Sequence, residues 1–179
     1  MRALHIRSWL IGAVLFPCAV QAQHPAIQDI IDSVSVDSMV AFVEHLSGEV
    51  PVDVGNGPEL ILSRHKLNAG NAVAAQYMLQ KLSSWGYSPV VQSFSTTGEN
   101  LLVTIPGTLY PGRKVVLCAH YDAMPGGIAN APAADDDGSG TAAVLEAARI
   151  LAGRSFENTI VLALWDEEEQ GKVGSQYYA

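Results

Sequence analysis

Two stretches in the first half of the chain carry apolar residues three and four positions apart, the spacing of one buried helix face. The first stretch spans residues 35–47, where Ser35 suits the N-cap position and Gly48 ends the pattern. The second stretch ends at Trp85 and Gly86. We therefore predict two amphipathic helices whose apolar faces belong to the core. The residues on these faces are Val36, Met39, Val40, Val43 and Leu46 in the first helix, and Ala75, Met78, Leu79, Leu82 and Trp85 in the second.

After residue 86 the pattern changes to alternation or to unbroken apolar runs, both of which favour strands. Residues 87–95 and 100–105 are predicted strands of the first kind. Residues 114–119 and 158–165 are continuous apolar runs, which are typical of strands buried on both faces by helices. A helix is predicted between these two runs, over residues 139–152. The order strand, helix, strand predicts an α/β fold in three layers.

The first 22 residues have the features of a signal peptide. Two arginines precede an apolar run over residues 9–20, which is too short to span a bilayer as a helix. Residues 20–22 then supply a small-residue cleavage site. We predict export to the periplasm or the medium, with no membrane span after the signal is removed. A buried N-terminal helix and lipidation at Cys18 are weaker alternatives.

Length and composition limit what the rest of the chain can be. The 179 residues, of which 49% are hydrophobic, suit one ordinary domain with a packed core, over residues 23–179. The net charge is −8 and there is no lysine- or arginine-rich run, so we expect no nucleic-acid partner, because an acidic chain repels a phosphate backbone. Loss of the signal leaves Cys118 as the single cysteine, so no internal disulfide can form.

Three short acidic clusters lie at the ends of the predicted elements. Asp122 follows the first apolar run, residues 166–169 follow the second, and residues 135–137 open the helix between them. Since ligands bind at the carboxyl ends of parallel strands, we expect all three clusters at one edge of the sheet, together with His120. So many carboxylates repel one another unless a cation offsets their charge. An imidazole beside several carboxylates suits zinc or a similar divalent ion.

Other interpretations of these residues stay open. Residues 135–146 match the spacing of a calcium-binding EF-hand loop, although the Pro- and Gly-rich stretch before them is a poor entering helix. Cys118 and His120 alternate onto one strand face, which allows a Cys-His nucleophile, although a cysteine in an apolar strand is more typical of inert core. Any one acidic run is also compatible with a solvated surface.

Three linked motifs resemble those of the secreted, dizinc leucyl-aminopeptidase-type metallopeptidases. The motifs are His120-Tyr121-Asp122, Ala134-Asp135-Asp136-Asp137-Gly138-Ser139-Gly140, and Glu168-Glu169-Gln170-Gly171 followed by Gly174-Ser175. Weaker similarity reaches back to about Ser63. The resemblance implies the zinc exopeptidase fold, a three-layer α/β/α sandwich around a mixed, mostly parallel sheet. It also implies metal-dependent hydrolysis that releases residues from the free N-terminus of peptide substrates.

The resemblance implies a role for each matching side chain. His120 would hold one zinc ion, Asp135 would bridge two zinc ions, and Glu169 would hold the other. Asp122 would orient the metal-binding imidazole from behind. Glu168 would act as general base and then as general acid. The resemblance also implies a non-proline cis peptide bond between Asp135 and Asp136.

Complete members of this family continue further and supply another acidic ligand and a second histidine. We therefore expect residues 23–179 to form the N-terminal portion of a zinc peptidase domain. Besides the aminopeptidase, two functions stay open. One is an inactive metal-binding fragment of the same fold, and the other is a related metallohydrolase such as a carboxypeptidase or a glutaminyl cyclase.

Overall fold

The computed structural model describes residues 24–179, so the predicted signal peptide lies outside the described residues. The chain forms five helices and six strands over these residues, with an irregular turn before the fourth helix that we call the acidic turn. In chain order they are α1 Pro25–Asp32, α2 Val36–Leu46, β1 Val52–Asp53, β2 Pro58–Glu59, α3 Ala69–Ser84, β3 Val90–Ser93, β4 Glu99–Ile105, β5 Tyr110–His120, the acidic turn Ala134–Ser139, α4 Gly140–Leu151, β6 Asn158–Trp165 and α5 Val173–Tyr178.

The three predicted helices are confirmed. Helix α2 begins after Ser35, whose hydroxyl accepts a hydrogen bond from the Ser38 amide at 3.1 Å. It ends before Gly48, which adopts a left-handed φ of +77° that a side chain would strain. Helix α3 begins at Ala69, earlier than its apolar stripe, because the Asn68 side chain caps the Gly70 amide at 2.8 Å.

The main sheet has four strands in the order β3-β4-β6-β5. Strands β3 and β4 form an antiparallel pair, and β4 also pairs antiparallel with β6. Strands β5 and β6 are parallel because α4 carries the chain back across the sheet between them. The predicted mixed sheet is therefore confirmed, but one of the three pairings in this four-stranded sheet is parallel, so the sheet as described is mostly antiparallel.

Helices lie on both faces of the sheet, as the three-layer prediction requires. The larger core joins α2, α3 and α4 to one sheet face through residues such as Leu46, Met78, Leu145 and Leu164. On the other face, Trp165 of β6 packs against Tyr178 of α5, with ring centroids 5.1 Å apart. No helix within residues 24–179 has the length and apolar character needed to cross a membrane.

Strand β5 differs from its prediction. The apolar run over residues 114–119 indicated a strand buried on both faces, but Val115 is 55% exposed and Cys118 is exposed. The physical reason is position, since β5 is the edge of the described sheet and pairs with β6 alone. By contrast, β6 lies between two strands, and the side chains from Val161 to Trp165 are buried.

Candidate metal and catalytic site

The candidate site lies where β5 and β6 end side by side. His120 is in register with Trp165, and the Tyr121 amide donates to the Trp165 carbonyl at 2.9 Å. Because the two strands are parallel, the residues that follow them leave the sheet at the same edge. The acidic turn lies at this edge as well, because α4 follows it directly and begins there. Thr141, in the first turn of α4, donates its hydroxyl proton to the His120 carbonyl at 2.8 Å.

Asp122 connects the two strand ends through its buried carboxylate. Its Oδ1 accepts a hydrogen bond from the Glu168 amide at 2.9 Å, and its Oδ2 accepts one from the Glu169 amide at 3.2 Å. The same Oδ1 lies 3.4 Å from Nδ1 of His120. One carboxylate thus fixes the backbone of Glu168 and Glu169 and also faces Nδ1 of the imidazole ring. The contact with Nδ1 is the one that a carboxylate makes when it orients a metal-binding histidine.

The His120 ring points its other nitrogen at further carboxylates. Nε2 lies 3.1 Å from Asp136 Oδ1 and 3.9 Å from Glu168 Oε2. Burial by itself lowers the pKa of His120, but the hydrogen bond and charge of Asp122, with the charges of Asp137 and Glu168, raise that pKa to about 9. The carboxylates around the ring therefore favour its protonated, positively charged form.

The acidic turn presents Asp136 to His120, whereas the sequence resemblance had pointed to Asp135. Among the described residues, the His120 ring makes ion-pair or hydrogen-bond contacts with Asp122, Asp136 and Glu168, and none with Asp135. The contact given for Asp135 is its backbone carbonyl, which accepts from the Ser139 hydroxyl at 2.9 Å. The cis peptide bond joins Asp136 to Asp137, one residue later than expected, so that expectation was wrong.

The contacts of Asp137 explain why the Asp136 side chain faces solvent and the His120 ring. Its Oδ1 accepts from the Gly140 amide at 3.0 Å at the start of α4, and its Oδ2 accepts from the His120 amide at 3.1 Å. Asp137 is therefore tied to α4 and β5, and the preceding Asp136 side chain is left 75% exposed. Gly140 is required at this close approach, because a Cβ there would lie 2.1 Å from the Asp137 carboxylate.

Glu168 and Glu169 lie close to the ring but differ in their contacts. The Glu168 side chain is 28% exposed and faces Nε2 of His120. Glu169 Oε1 accepts from the Met124 amide at 3.3 Å, and burial raises the pKa of this carboxyl group, although that hydrogen bond opposes the rise. A partly exposed carboxylate such as Glu168 suits proton exchange with water. A carboxylate such as Glu169, whose charge is disfavoured by burial, suits the binding of a cation.

The donors present fit zinc in kind, because an imidazole nitrogen and carboxylate oxygens are zinc ligands. His120 and Asp136 are the pair already in direct contact. Within residues 24–179, no group of three or more His, Cys, Asp or Glu side chains is gathered closely enough to hold a metal ion. The described residues therefore offer donors of the right kind for zinc but do not by themselves form a complete metal site.

Sequence reasoning treated residues 166–169 as one acidic group, but the structure divides them. Asp166 is fully buried, and its carboxylate accepts from the Asn71 side chain at 3.1 Å and the Glu99 amide at 3.2 Å. Burial raises the pKa of Asp166 to about 6. Glu167 is buried as well. Asp166 and Glu167 point inward and bind other parts of the fold, whereas Glu168 and Glu169 face the candidate site. Four consecutive acids have no spacing pattern from which this division could be predicted.

Arg64 supports the site from beneath, and no sequence motif singled it out. It is fully buried, and burial lowers its pKa to about 10 although the charges of Asp122 and Asp137 raise it. Its guanidinium binds the end of α2, the end of β5 and the segment before the acidic turn, and so holds these three segments in one place. The acceptors are the backbone carbonyls of Leu46, Tyr121, Pro132 and Ala133.

Two of the other interpretations meet clear structural obstacles. The last position of the EF-hand spacing is Glu146, but its carboxylate accepts from Arg149 at 2.7 and 2.8 Å and from the Ser35 amide at 2.6 Å. Residues 124–133 also form no helix in this part of the structure, so no entering helix precedes the loop. For the thiol interpretation, the His120 nitrogens face carboxylates, whereas Cys118 is exposed on the edge strand.

Residues 100–179 match the family model described as Peptidase family M28. The chain is 41% identical over 90 residues to a probable zinc metalloprotease of Pyrenophora tritici-repentis, covering 48% of this chain and 19% of that protein. It is 32% identical over 139 residues to leupeptin-inactivating enzyme 1 of Streptomyces exfoliatus, covering 75% and 30%. It is 44% identical over 109 residues to leucine aminopeptidase 1 of Ajellomyces capsulatus, covering 49% and 28%.

Solved structures share the fold at lower sequence identity. The LapA aminopeptidase of Legionella pneumophila matches with a TM-score of 0.68 and 19% identity, over 86% of this chain and 40% of that chain. The glutaminyl cyclase of Bacteroides thetaiotaomicron matches with a TM-score of 0.64 and 20% identity, over 81% and 56%. The chain spans about a fifth of the length of the first curated relatives that it matches.

Proposed function

We propose that this chain carries part of the active site of a zinc aminopeptidase, because residues 100–179 match the family model described as Peptidase family M28. The observation that carries this proposal is the Asp122 carboxylate, which faces His120 Nδ1 and holds the amides of Glu168 and Glu169. Relatives at 41–44% identity that are named a zinc metalloprotease and a leucine aminopeptidase support it. The substrates are peptides with a free N-terminus.

His120, Asp136 and Glu169 are the zinc ligands that we propose within this chain. Asp136 would hold zinc in the place that the resemblance gave to Asp135, because Asp136 Oδ1 is the acidic-turn oxygen 3.1 Å from His120 Nε2. The ring must give up its Nε2 proton to bind a metal, so metal and proton compete for that nitrogen. Further ligands would complete the shell.

The chemistry assigns separate tasks to the remaining side chains. When bound, zinc would supply Lewis acidity toward the scissile carbonyl group. Glu168 removes a proton from the attacking water and later delivers it to the leaving amine, a role that suits its partly exposed carboxylate. Asp122 holds the imidazole in one orientation and keeps the Glu168 backbone in place through the 2.9 Å hydrogen bond.

We also propose that the protein is exported. Support comes from the sequence of residues 1–22, with its arginines, short apolar run and cleavage site. Cell fractionation of a host that expresses the chain, followed by N-terminal sequencing, tests this proposal. A mature protein that begins at residue 23 outside the cytoplasm is expected, and a cytoplasmic protein with residues 1–22 intact would contradict export.

The activity is tested with the full chain, supplied with zinc, on leucine 4-nitroanilide. The aminopeptidase requires hydrolysis of this substrate, no hydrolysis of its N-acetylated form, and loss of turnover in Glu168→Gln. Release of a C-terminal residue from an N-blocked dipeptide would indicate a carboxypeptidase instead. Loss of ammonia from a glutaminyl peptide would indicate a cyclase, and zinc binding without any turnover would indicate a metal-binding fragment.

A further inference from the structure

Glu167 stands directly before the general base and adopts an unusual backbone conformation. Its φ is +55°, in the left-handed region that residues with side chains seldom occupy. Its side chain is buried and turned away from His120. Oε1 accepts hydrogen bonds from the hydroxyl groups of Ser95 at 3.0 Å and Thr97 at 2.8 Å, and Oε2 accepts one from Lys66 Nζ at 3.1 Å.

These three donors come from two distant parts of the chain. Ser95 and Thr97 belong to the loop between β3 and β4, and Lys66 belongs to the loop before α3. The loop closes tightly on the carboxylate, because a Cβ at Gly98 would lie 2.9 Å from Glu167 Oε1. Glu167 is therefore held by side chains other than Asp122.

The energies indicate that the side chain sustains the backbone conformation. A left-handed φ is unfavourable for a residue with a side chain, while hydrogen bonds to a charged carboxylate are stronger than those between neutral groups. The three hydrogen bonds to Glu167 therefore offset the cost of its φ. If the carboxylate is removed, both the stabilisation and the reason for the left-handed turn disappear.

The left-handed turn also sets the direction of the next two residues. Immediately after it, the amides of Glu168 and Glu169 point at the two oxygens of Asp122. Immediately before it, Asp166 points to the other side, toward Asn71. The turn at Glu167 is thus the place where the acidic run changes from inward to outward.

We propose that Glu167 is a positioning residue, which holds the general base Glu168 and the ligand Glu169 against Asp122 through its bonds to Lys66, Ser95 and Thr97. This inference rests on the proposed function for the roles of Glu168 and Glu169. Glu167 itself touches neither substrate nor metal. Its effect is transmitted by the backbone, which a measurement on the two amides detects directly.

The test compares Glu167→Ala, Glu167→Gly and a control, Glu157→Ala, at an exposed glutamate. Amide hydrogen exchange is measured at Glu168 and Glu169 and, as an internal reference, along residues 161–164 of β6. In Glu167→Ala the two amides are expected to exchange about tenfold faster or more, with β6 unchanged, because the opening is local. Glu167→Gly is expected to change less, since glycine adopts a left-handed φ without cost.

Thr97→Val provides a second variant in case the alanine variant does not fold. It removes one donor to Glu167 and leaves the acidic run intact, so a smaller acceleration at Glu168 and Glu169 is expected. On leucine 4-nitroanilide, Glu167→Ala should lower kcat while KM stays within about twofold, the pattern expected when an interaction with the transition state is lost.

Two results would overturn the inference. One is wild-type exchange at both amides in Glu167→Ala, and the other is equal acceleration at these amides and along β6, which would make Glu167 a general stabilising residue. If the unmodified chain hydrolyses nothing, the proposed function fails. The exchange measurement still decides whether Glu167 positions the two amides.

Discussion

One oxygen of the Asp122 carboxylate, Oδ1, lies 3.4 Å from Nδ1 of the His120 ring. The same oxygen accepts the Glu168 amide hydrogen bond, so the ring and the acidic run are held by one buried group. A carboxylate with no side-chain exposure that serves both strand ends is the central element of the site. Its position makes the following substitutions informative.

Asp122→Asn is expected to lower zinc affinity by about 10–100-fold. The amide has nearly the same shape as the carboxylate. However, its NH₂ group is a donor and must replace one of the two oxygens, which accept from backbone N–H groups and face the His120 ring. A zinc titration against a competing chromogenic chelator measures the change. Asp29→Asn, at an exposed position, should leave the affinity as it was, and equal affinities for all three proteins would contradict the proposed role.

Glu168→Gln is expected to lower kcat for leucine 4-nitroanilide by about 10²–10⁴-fold, because glutamine cannot transfer the proton. Zinc content and KM should change little, since Glu168 is assigned no metal-ligand role. Steady-state kinetics and metal analysis on the same preparation check both statements. A variant with unchanged kcat would remove Glu168 from the mechanism.

Asp136→Asn and Asp135→Asn form a matched pair at neighbouring positions. We expect at least tenfold weaker zinc binding for Asp136→Asn, because a ligand carboxylate becomes a neutral amide. We expect near wild-type binding for Asp135→Asn, because Asp136 is the residue in contact with His120 Nε2. Isothermal titration with zinc distinguishes them, and the reverse order of affinities would restore Asp135 as the ligand.

Glu146 gives a prediction about stability and pH. Hydrogen bonds from Arg149, the largest cause, lower the pKa of this carboxyl below its ordinary value of 4.5, although burial opposes the shift. Its stabilisation is therefore present above that ordinary value and is lost as pH falls through the folded-state pKa. Glu146→Gln should lower the free energy of unfolding at pH 7 by about 1–3 kcal/mol, because polar partners lose a charged acceptor.

The difference in free energy of unfolding between the wild type and Glu146→Gln should narrow as the pH is lowered through the acid range. The reason is that the wild-type carboxyl group then becomes neutral too. Urea unfolding of both proteins at several pH values measures this difference. Glu157→Gln, at an exposed position, serves as the control and should track the wild type. If the difference in free energy of unfolding stays the same at every pH, the charge of Glu146 does not contribute to stability.

Much of the fold could be predicted because local patterns fix local structure. Strand β6 was predicted at residues 158–165 and forms there, since its apolar run has polar residues on both sides. Strand β5 starts at Tyr110, earlier than its predicted start at residue 114, with an irregular register in between. The strand extends across Pro111 and Gly112 because Tyr110 and Lys114, on either side of them, pair with Asn158 and Thr159 of β6.

The sequence by itself determined the order of the elements, the edge of the sheet where the acids gather, and the kinds of side chain that meet there. It could not determine which of three consecutive aspartates faces His120, because adjacent identical residues carry the same chemical information. That choice depends on Asp137, which is tied to both α4 and β5 and leaves Asp136 facing the ring. Similarly, only tertiary contacts turn Glu167 inward and Glu168 outward, because the hydrogen-bond partners that hold them lie about 50 to 100 residues away in the chain.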